Sequence, residues 1–118
     1  MRLSRHALAV VFALGGMATA AADDAKNEIR IGQTLPYSGP VSGFGIIGRV
    51  QEAYFAKVNA EGGINGRKVK FISLDDAYSP PKTVEQTRKL VEQDEVLLMF
   101  GSHGTATNSA VDRYLNGK

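Results

Sequence analysis

Apolar and polar residues form three strand-like runs in this chain. The first, Ile29 to Leu35, alternates apolar and polar residues and stops at Pro36, as a half-buried strand does. The second, Lys68 to Leu74, alternates in the same way after the turn signal Asn65-Gly66. The third, Val96 to Phe100, is continuously apolar, which predicts a central parallel strand that is buried on both faces.

A helical spacing of apolar residues follows each predicted strand. The first helix ends at Gly62-Gly63, since glycine readily takes the left-handed conformation after a helix. Its apolar stripe comprises Ile47, Val50, Tyr54 and Val58. The second begins at Ser79-Pro80-Pro81, with Ser79 as the predicted cap. Its buried stripe comprises Val84, Thr87, Leu90 and Val91. The third ends near Leu115, and Ser102 or Thr105 is the predicted cap.

This order, β-α-β-α-β-α, predicts an α/β fold with a parallel sheet and flanking helices. Parallel strands that are joined by crossovers of this length require right-handed connections. The loops at residues 36–45, 75–79 and 101–105 should therefore gather at one edge of the sheet. Three parallel strands leave two edges and much surface uncovered, so we expect a partial lobe of a longer α/β protein.

The first 22 residues are typical of a secretory signal peptide. Arg2 and Arg5 precede a short apolar stretch, and small residues follow at the spacing that a signal peptidase needs. We therefore predict a signal peptide at 1–22 and a leader at 23–28, which precede the α/β unit at 29–118. Export to the periplasm follows from this prediction.

The net charge and the absence of cysteine bear on the partners of this chain and on what stabilises its fold. The net charge of +2 is accounted for by Arg2 and Arg5, because all 12 acidic residues lie after residue 22. A neutral mature chain does not favour nucleic acid as a partner. The chain has no cysteine, so an exported fold of this kind needs a hydrophobic core rather than disulfides.

The turn from Gly101 to Thr105 is the predicted ligand site. The first amides of a helix lack internal partners and carry the positive end of the helix dipole. A small anion such as a solute carboxylate binds there without a dedicated cation. In open α/β sheets, ligands lie at the carboxyl ends of strands, where this turn is predicted to be.

Other motifs have both a chemical and a structural interpretation. Gly43 to Gly48 has the G-x-G-x-x-G spacing of a dinucleotide site, but it does not directly follow the strand, and close packing of the helix start is the alternative. Asp75-Asp76 suggests either a metal site or hydrogen bonding within the loop. Ser102 and His103 are adjacent and cannot pair as nucleophile and base, so we predict no catalytic residue. We also predict no metal and no cofactor.

Three aromatic residues are predicted near the same edge. Tyr37 and Phe44 either face the ligand, where an aromatic ring excludes water, or belong to ordinary packing. Tyr78 is either packed within its loop or a lid over the Gly101–Thr105 turn. His103 is either an exposed loop residue or part of the site.

The sequence resembles the branched-chain amino acid (leucine-binding-like) type of periplasmic solute-binding protein, which serves ABC importers. The matching segments are Ile31-Gly32, Pro36 to Pro40, Phe44-Gly45, Asn59 to Lys68, Asp75-Asp76 with the following prolines, and Gly101 to Thr105. This resemblance covers nearly everything from Ile29 to Lys118 and rests on the combination of these segments.

The resemblance implies a type I periplasmic binding protein with two lobes, longer than this chain, and it makes residues 29–118 the first part of the amino-terminal α/β solute-binding lobe. Solute binds between the lobes, which close and dock on an inner-membrane ABC permease, and we expect a monomer. By position, Thr105 matches a hydroxyl that holds the solute carboxylate, and Phe44 matches an aromatic residue that covers it. Ser102, His103 and Gly104 form the turn around it, and Tyr78 lies nearby.

Two departures from the family pattern bear on the solute. Tyr78 and Gly104 occupy positions where some members carry a disulfide pair, which this chain lacks. The run from Gly101 to Asn108 resembles relatives that bind aromatic acids or other organic solutes. The resemblance therefore implies a solute that is an amino acid or another small carboxylate, aromatic acids included. A ligand-sensing domain of a receptor or regulator and an exported α/β enzyme are the alternative functions.

Overall fold

The computed structural model describes residues 27–118, and the predicted signal peptide lies outside this range. The strands are β1 (Glu28–Leu35), β2 (Lys68–Asp75) and β3 (Leu98–Met99). The helices are α1 (Gly45–Ala60), α2 (Pro80–Glu92) and α3 (Thr105–Leu115), and a short 3₁₀ turn (Ser42–Phe44) precedes α1. None of the helices in this range is both long and apolar enough to cross a membrane.

The strands form one parallel sheet in the order β2-β1-β3. β1 pairs with β2 along its whole length, from Glu28 opposite Lys68 to Leu35 opposite Asp75. It pairs with β3 only at Ile31 and Gly32, which lie opposite Leu98 and Met99. The predicted α/β class and parallel sheet are confirmed, and the three loops after the strands lie at one edge of the sheet.

The prediction of a buried central third strand was wrong for the described residues. β1 is the central strand, and β3 is a two-residue edge strand. Leu97 is 71% exposed, and Leu98 and Phe100 are also exposed. The physical reason is that β3 pairs only with β1, and the described helices leave the apolar side chains of Leu98 and Phe100 partly uncovered.

The first helix also exposes part of its predicted apolar stripe. Val50 and Tyr54 are 61% and 62% exposed. Together with Leu98 and Phe100 they line an apolar groove of about 430 Å³ between α1 and β3. These side chains lie on a face of α1 and β3 that the other described elements leave uncovered.

The core lies between the central strand and the two helices on one face of the sheet. Leu35 of β1 and Leu90 of α2 are completely buried, and Val111 of α3 is 5% exposed. The α2 stripe is confirmed at Thr87 and Leu90, whereas Val84 and Val91 are only half-buried. This packing fixes the start of α3 relative to the end of β1, which is where the candidate site lies.

The predicted turns after α1 are confirmed. Gly62 and Gly63 follow the helix with φ of 108° and 78°, in the region that favours glycine. Asn65 and Gly66 have φ of 51° and 77°, and the flanking residues Ile64 and Arg67 form an antiparallel bridge. The turn therefore returns the chain directly to the start of β2.

Candidate ligand-binding site

Asp75 joins the loop after β1 to the loop after β2. Its Oδ1 accepts hydrogen bonds from the backbone amides of Tyr37 (2.9 Å), Ser38 (3.1 Å) and Ala77 (3.0 Å). Its Oδ2 accepts from Ser38 Oγ at 2.6 Å and from Lys82 Nζ at 2.9 Å. Five donors on one carboxylate hold the two loops in a fixed relation.

These donors also determine the protonation of Asp75. Burial alone would raise the pKa of its carboxyl. The hydrogen bonds from Ser38, Lys82 and the amides of Ala77 and Ser38 stabilise the charged form more strongly and hold the pKa well below its usual value. Asp75 is therefore a structural carboxylate that is ionised throughout the neutral range.

Asp76 is completely buried, and both of its oxygens are hydrogen-bonded inside the protein. Oδ1 accepts from the Tyr78 amide at 2.9 Å, and Oδ2 accepts from Thr83 Oγ1 at 3.0 Å. No cluster of three potential metal ligands occurs within residues 27–118. For Asp75-Asp76 the contacts favour hydrogen bonding within the loop, the structural interpretation of the pair.

The two aspartates hold an unusual backbone turn. Ala77 and Tyr78 have φ of 51° and 59°, in the left-handed region that few non-glycine residues adopt. Each donates its amide to the aspartate two residues earlier, which compensates for the local backbone cost. The turn directs the Tyr78 ring toward the start of α3.

Tyr78 packs directly on Gly104. A Cβ atom built on Gly104 would lie 2.5 Å from Tyr78 Cε2 and 2.5 Å from Thr107 Oγ1. Gly104 also has φ of 115°, so glycine is required there both by conformation and by space. The second loop therefore contacts the third loop through an aromatic ring over the backbone of the turn.

Phe44 and His103 form a stacked pair between the first and third loops. Their ring centroids are 4.1 Å apart, and the ring planes differ by 27°. The Phe44 side chain remains 45% exposed, so part of its surface is free for contact with another group. The structure thus brings together two candidate residues that are 59 positions apart in the sequence.

The predicted caps of α3 were wrong. The residue before the helix is Gly104, and neither Ser102 nor Thr105 makes a capping hydrogen bond. Ser102 Oγ instead accepts a hydrogen bond from the Thr34 amide at 3.1 Å, because β1 ends next to this turn. Ser79 occupies the cap position of α2 as predicted, but its side chain makes no capping bond there either.

Side chains that the sequence analysis did not single out bind the carbonyls of the turn. Gln33 Nε2 donates to Phe100 O (3.1 Å) and Gly101 O (2.9 Å). Asn108 Nδ2 donates to the Ser102 carbonyl at 3.2 Å. Thr107 Oγ1 donates to the carbonyls of His103 (2.8 Å) and Gly104 (3.0 Å). The available sequence signal was Gln33, a polar residue on the face of β1 whose other members, Ile29, Ile31 and Leu35, are apolar.

The amides of the same segment are unoccupied. No acceptor within the described part of the chain bonds to the backbone N–H groups of residues 101–107. The first intrahelical bond is made by the Asn108 amide to Gly104 O at 2.9 Å. Amides without an acceptor in residues 27–118, at a helix start and next to the exposed Thr105, are the donors that an anion such as a carboxylate requires.

The G-x-G-x-x-G segment packs against the first loop. A Cβ on Gly45 would lie 2.8 Å from Tyr37 Cδ1, and one on Gly48 would overlap the Tyr37 hydroxyl. The Tyr37 hydroxyl is hydrogen-bonded to Ser73 Oγ at 2.5 Å. The contacts thus favour close packing of the start of α1 as the role of these glycines, and they place Tyr37 in packing rather than in the cleft.

Comparison with known families identifies the chain. The family model described as periplasmic binding protein matches residues 28–118. The chain belongs to the periplasmic binding protein family. The resemblance drawn from the sequence is thereby confirmed, and membership implies an extracytoplasmic location.

Individual relatives agree with this assignment. An amino acid binding protein of Pseudomonas aeruginosa is 37% identical over 102 residues, which are 80% of this chain and 24% of that protein. A periplasmic binding protein type 1 from Bordetella pertussis superposes with a TM-score of 0.70 at 30% identity, covering 76% of this chain and 25% of that one. A solute-binding protein of an ABC transporter from R. palustris, in complex with benzoate, gives a TM-score of 0.62 at 29% identity over 74% of this chain and 24% of that one.

These matches also show how much of a relative's length this chain covers. The chain spans about a quarter of the length of the relatives that it matches. The described elements correspond to a partial lobe of the type I periplasmic binding fold, as was predicted from the strand count. The relatives are named as binding proteins, and their names mention no reaction.

Proposed function

We propose that the intact protein is the extracytoplasmic solute-binding component of an ABC importer, and that it captures a small carboxylate-bearing solute between two lobes. The observation that carries this proposal is the unoccupied run of amides at residues 101–107 at the carboxyl edge of the sheet. The family assignment supports it independently, because the matched relatives are binding proteins.

The chemistry of the named ligands supports a carboxylate as the recognised group. One relative is named for amino acids, and one neighbour is in complex with benzoate. These two ligand types differ in size, shape and the presence of an amine, but both carry a carboxylate. A site that is built from backbone amides binds this shared group and leaves the rest of the solute to other contacts.

Within the described residues, each candidate has a distinct role in this proposal. The Thr105 hydroxyl and the amides of the turn, including those of Ser102 and Gly104, bind the carboxylate. The Phe44–His103 pair provides an apolar wall beside it, and this wall excludes water. Tyr78 contacts the turn from the opposite loop and limits the space around it.

The proposal extends to parts of the protein beyond the described elements. We propose that a signal peptide at residues 1–22 directs export and that a second lobe completes the cleft. The loaded, closed form then docks as a monomer on an inner-membrane permease. Binding without chemical change is sufficient for this role, so we propose no catalytic residue, cofactor or metal.

Removal of the Thr105 hydroxyl in the intact protein tests the site. A hydrogen bond to a charged group contributes roughly 1.5–3 kcal/mol, so Thr105→Ala should weaken binding of a carboxylate solute by about tenfold or more. Calorimetric titration with L-leucine and with benzoate measures this change. Thr105→Ser should retain most of the affinity. Ser109→Ala removes a hydroxyl one turn further along α3 and should have no effect.

Two results would contradict the proposal. Unchanged affinity in Thr105→Ala would remove this hydroxyl from the site. Chemical conversion of either solute by the purified protein would favour the alternative of an exported enzyme over a binding protein.

A further inference from the structure

Within residues 27–118, three side chains bind five consecutive carbonyls, those of residues 100–104. Gln33 binds the first two, Asn108 the third, and Thr107 the last two. Gln33 and Thr107 are completely buried, so their four bonds are made inside the protein, whereas the bond from Asn108 lies at the surface. Side chains of β1 and α3 therefore hold the backbone of the turn in place.

Because each peptide unit is planar, the direction of a carbonyl also determines the direction of the following amide. In a trans peptide, the carbonyl of one residue and the N–H of the next point in opposite directions. No cis peptide occurs in the described part of the chain. When the carbonyls of residues 100, 101, 103 and 104 point toward buried donors, the N–H groups of residues 101, 102, 104 and 105 must point away from those donors. These amides are among those that have no acceptor within residues 27–118.

We propose that Gln33, Thr107 and Asn108 are positioning residues of the solute site. They hold the turn so that its amides are presented to the carboxylate before the solute arrives, which avoids the ordering cost of binding. The expected effect of these residues on solute affinity rests on the proposed function. Their effect on the orientation of the peptides can be tested without any solute.

The Gln33 carboxamide is itself held in place. Its Oε1 accepts a hydrogen bond from Ser73 Oγ at 2.9 Å, and the Ser73 hydroxyl is also bonded to Tyr37. Its Nε2 is within hydrogen-bonding distance of Gln51 Oε1 on α1 as well. Side chains from β2 and α1 therefore determine which way the amide group faces, and it faces the carbonyls of the turn.

The chain offers a matched pair of substitutions. Thr107 and Thr87 are both completely buried threonines on helices of the same face. Thr107 Oγ1 binds two carbonyls of the turn, whereas Thr87 Oγ1 has no hydrogen-bond partner in residues 27–118. Replacement of each by valine conserves shape and removes one hydroxyl. Only the first replacement removes hydrogen bonds to the turn, and the Gly104 carbonyl then keeps its bond from the Asn108 amide.

The experiment compares Thr107→Val, Thr107→Ser and Thr87→Val in the intact protein. Affinities for L-leucine and benzoate are measured by calorimetry, and melting temperatures by calorimetric scan. We expect at least fivefold weaker binding of the solute in Thr107→Val, near wild-type binding in Thr107→Ser and no change in Thr87→Val. Gln33→Met should weaken binding in the same way. A lower melting temperature in Thr107→Val with unchanged affinity would overturn the positioning role.

A crystal structure of Thr107→Val without solute separates the inference from the proposed function. The inference predicts that the peptides at residues 103–105 rotate away from their wild-type orientation. If they rotate while the wild-type protein binds neither solute, the positioning role stands and the proposed function fails for these solutes. If they keep their wild-type orientation, the positioning role is overturned whatever the affinities are.

Discussion

Replacement of Asp75 by asparagine should strongly destabilise the loop edge of the sheet. Asparagine keeps an oxygen for the three amide donors at Oδ1, but its NH₂ group replaces the oxygen that accepts from Ser38 Oγ and Lys82 Nζ. It also removes the negative charge that all five donors face. The side chain of Asp75 is 30% exposed, so solvent screens part of this effect.

The expected loss follows from these contacts. Two hydrogen bonds are broken, and in the one from Lys82 both donor and acceptor are charged. In the three bonds from backbone amides, the acceptor changes from a charged oxygen to a neutral one. A bond to a charged group contributes about 1.5–3 kcal/mol, and screening lowers the lysine contribution to about 1 kcal/mol or less. We therefore expect Asp75→Asn to lower the free energy of unfolding by about 2–3 kcal/mol at pH 7.

The pH dependence provides a second, independent signature. The folded state holds the pKa of Asp75 below its ordinary value of 3.8. A depressed pKa contributes stability that is fully present above the unfolded value and is lost as the pH falls through the folded value. The difference between the wild type and Asp75→Asn should therefore be constant from pH 5 to 7 and should shrink below about pH 4.

Urea unfolding followed by circular dichroism at pH 7, 4 and 3 measures both signatures. The control is Glu61→Gln, which removes only an exposed contact of 3.7 Å with Lys57 and should change stability by less than about 0.5 kcal/mol. A loss below about 0.5 kcal/mol in Asp75→Asn, or a loss that does not depend on pH, would refute the assignment of Asp75 as the carboxylate that joins the loops.

Two glycine substitutions test the packing at the same edge, again by urea unfolding. Gly104→Ala should cost about 2–4 kcal/mol, because its Cβ meets Tyr78 and Thr107 at 2.5 Å and its φ is 115°. Gly62→Ala, at φ 108° with open space around it, separates strain from crowding, and an equal loss in both would contradict the Tyr78 contact. Gly48→Ala should cost about 1–3 kcal/mol by crowding Tyr37 and Leu35. Gly43→Ala, whose Cβ would have nothing within 4 Å, should be nearly neutral, and a loss as large as that of Gly48→Ala would argue against crowding as the cause.

Most of the architecture was predictable because it follows from local signals. Alternation gave β1 and β2, the glycine pair ended α1, and Asn65-Gly66 formed the expected turn. The chain order of strands and helices then required parallel pairing and placed the three loops together. These features depend on residues that are close in sequence, so no knowledge of the rest of the fold was needed.

The errors arose where tertiary contacts decide the outcome. The apolar run at residues 96–100 reads as a central strand, yet it forms an edge because only β1 pairs with it in the described residues. The caps of α3 were misassigned because Ser102 bonds to β1, 68 residues earlier, rather than to its own helix. A competition between local and distant partners for one hydroxyl is not visible in a sequence pattern.

The sequence indicated which candidate residues would lie together, but not the contacts between them. The family resemblance pointed to Phe44, Tyr78 and the turn at Ser102 to Thr105. It did not indicate that Phe44 stacks on His103 or that Tyr78 rests on Gly104. The buried donors that orient the turn lie on β1 and α3, and Gln33 is 68 residues from the carbonyl of Gly101 that it binds.

The most direct test of the central claim is a crystal structure of the intact protein with L-leucine or benzoate bound. The account predicts that both carboxylate oxygens lie within about 3.2 Å of amide nitrogens between Ser102 and Ala106, with the Thr105 hydroxyl as a further donor. A structure in which the carboxylate is bound elsewhere, and these amides contact only water, would contradict it.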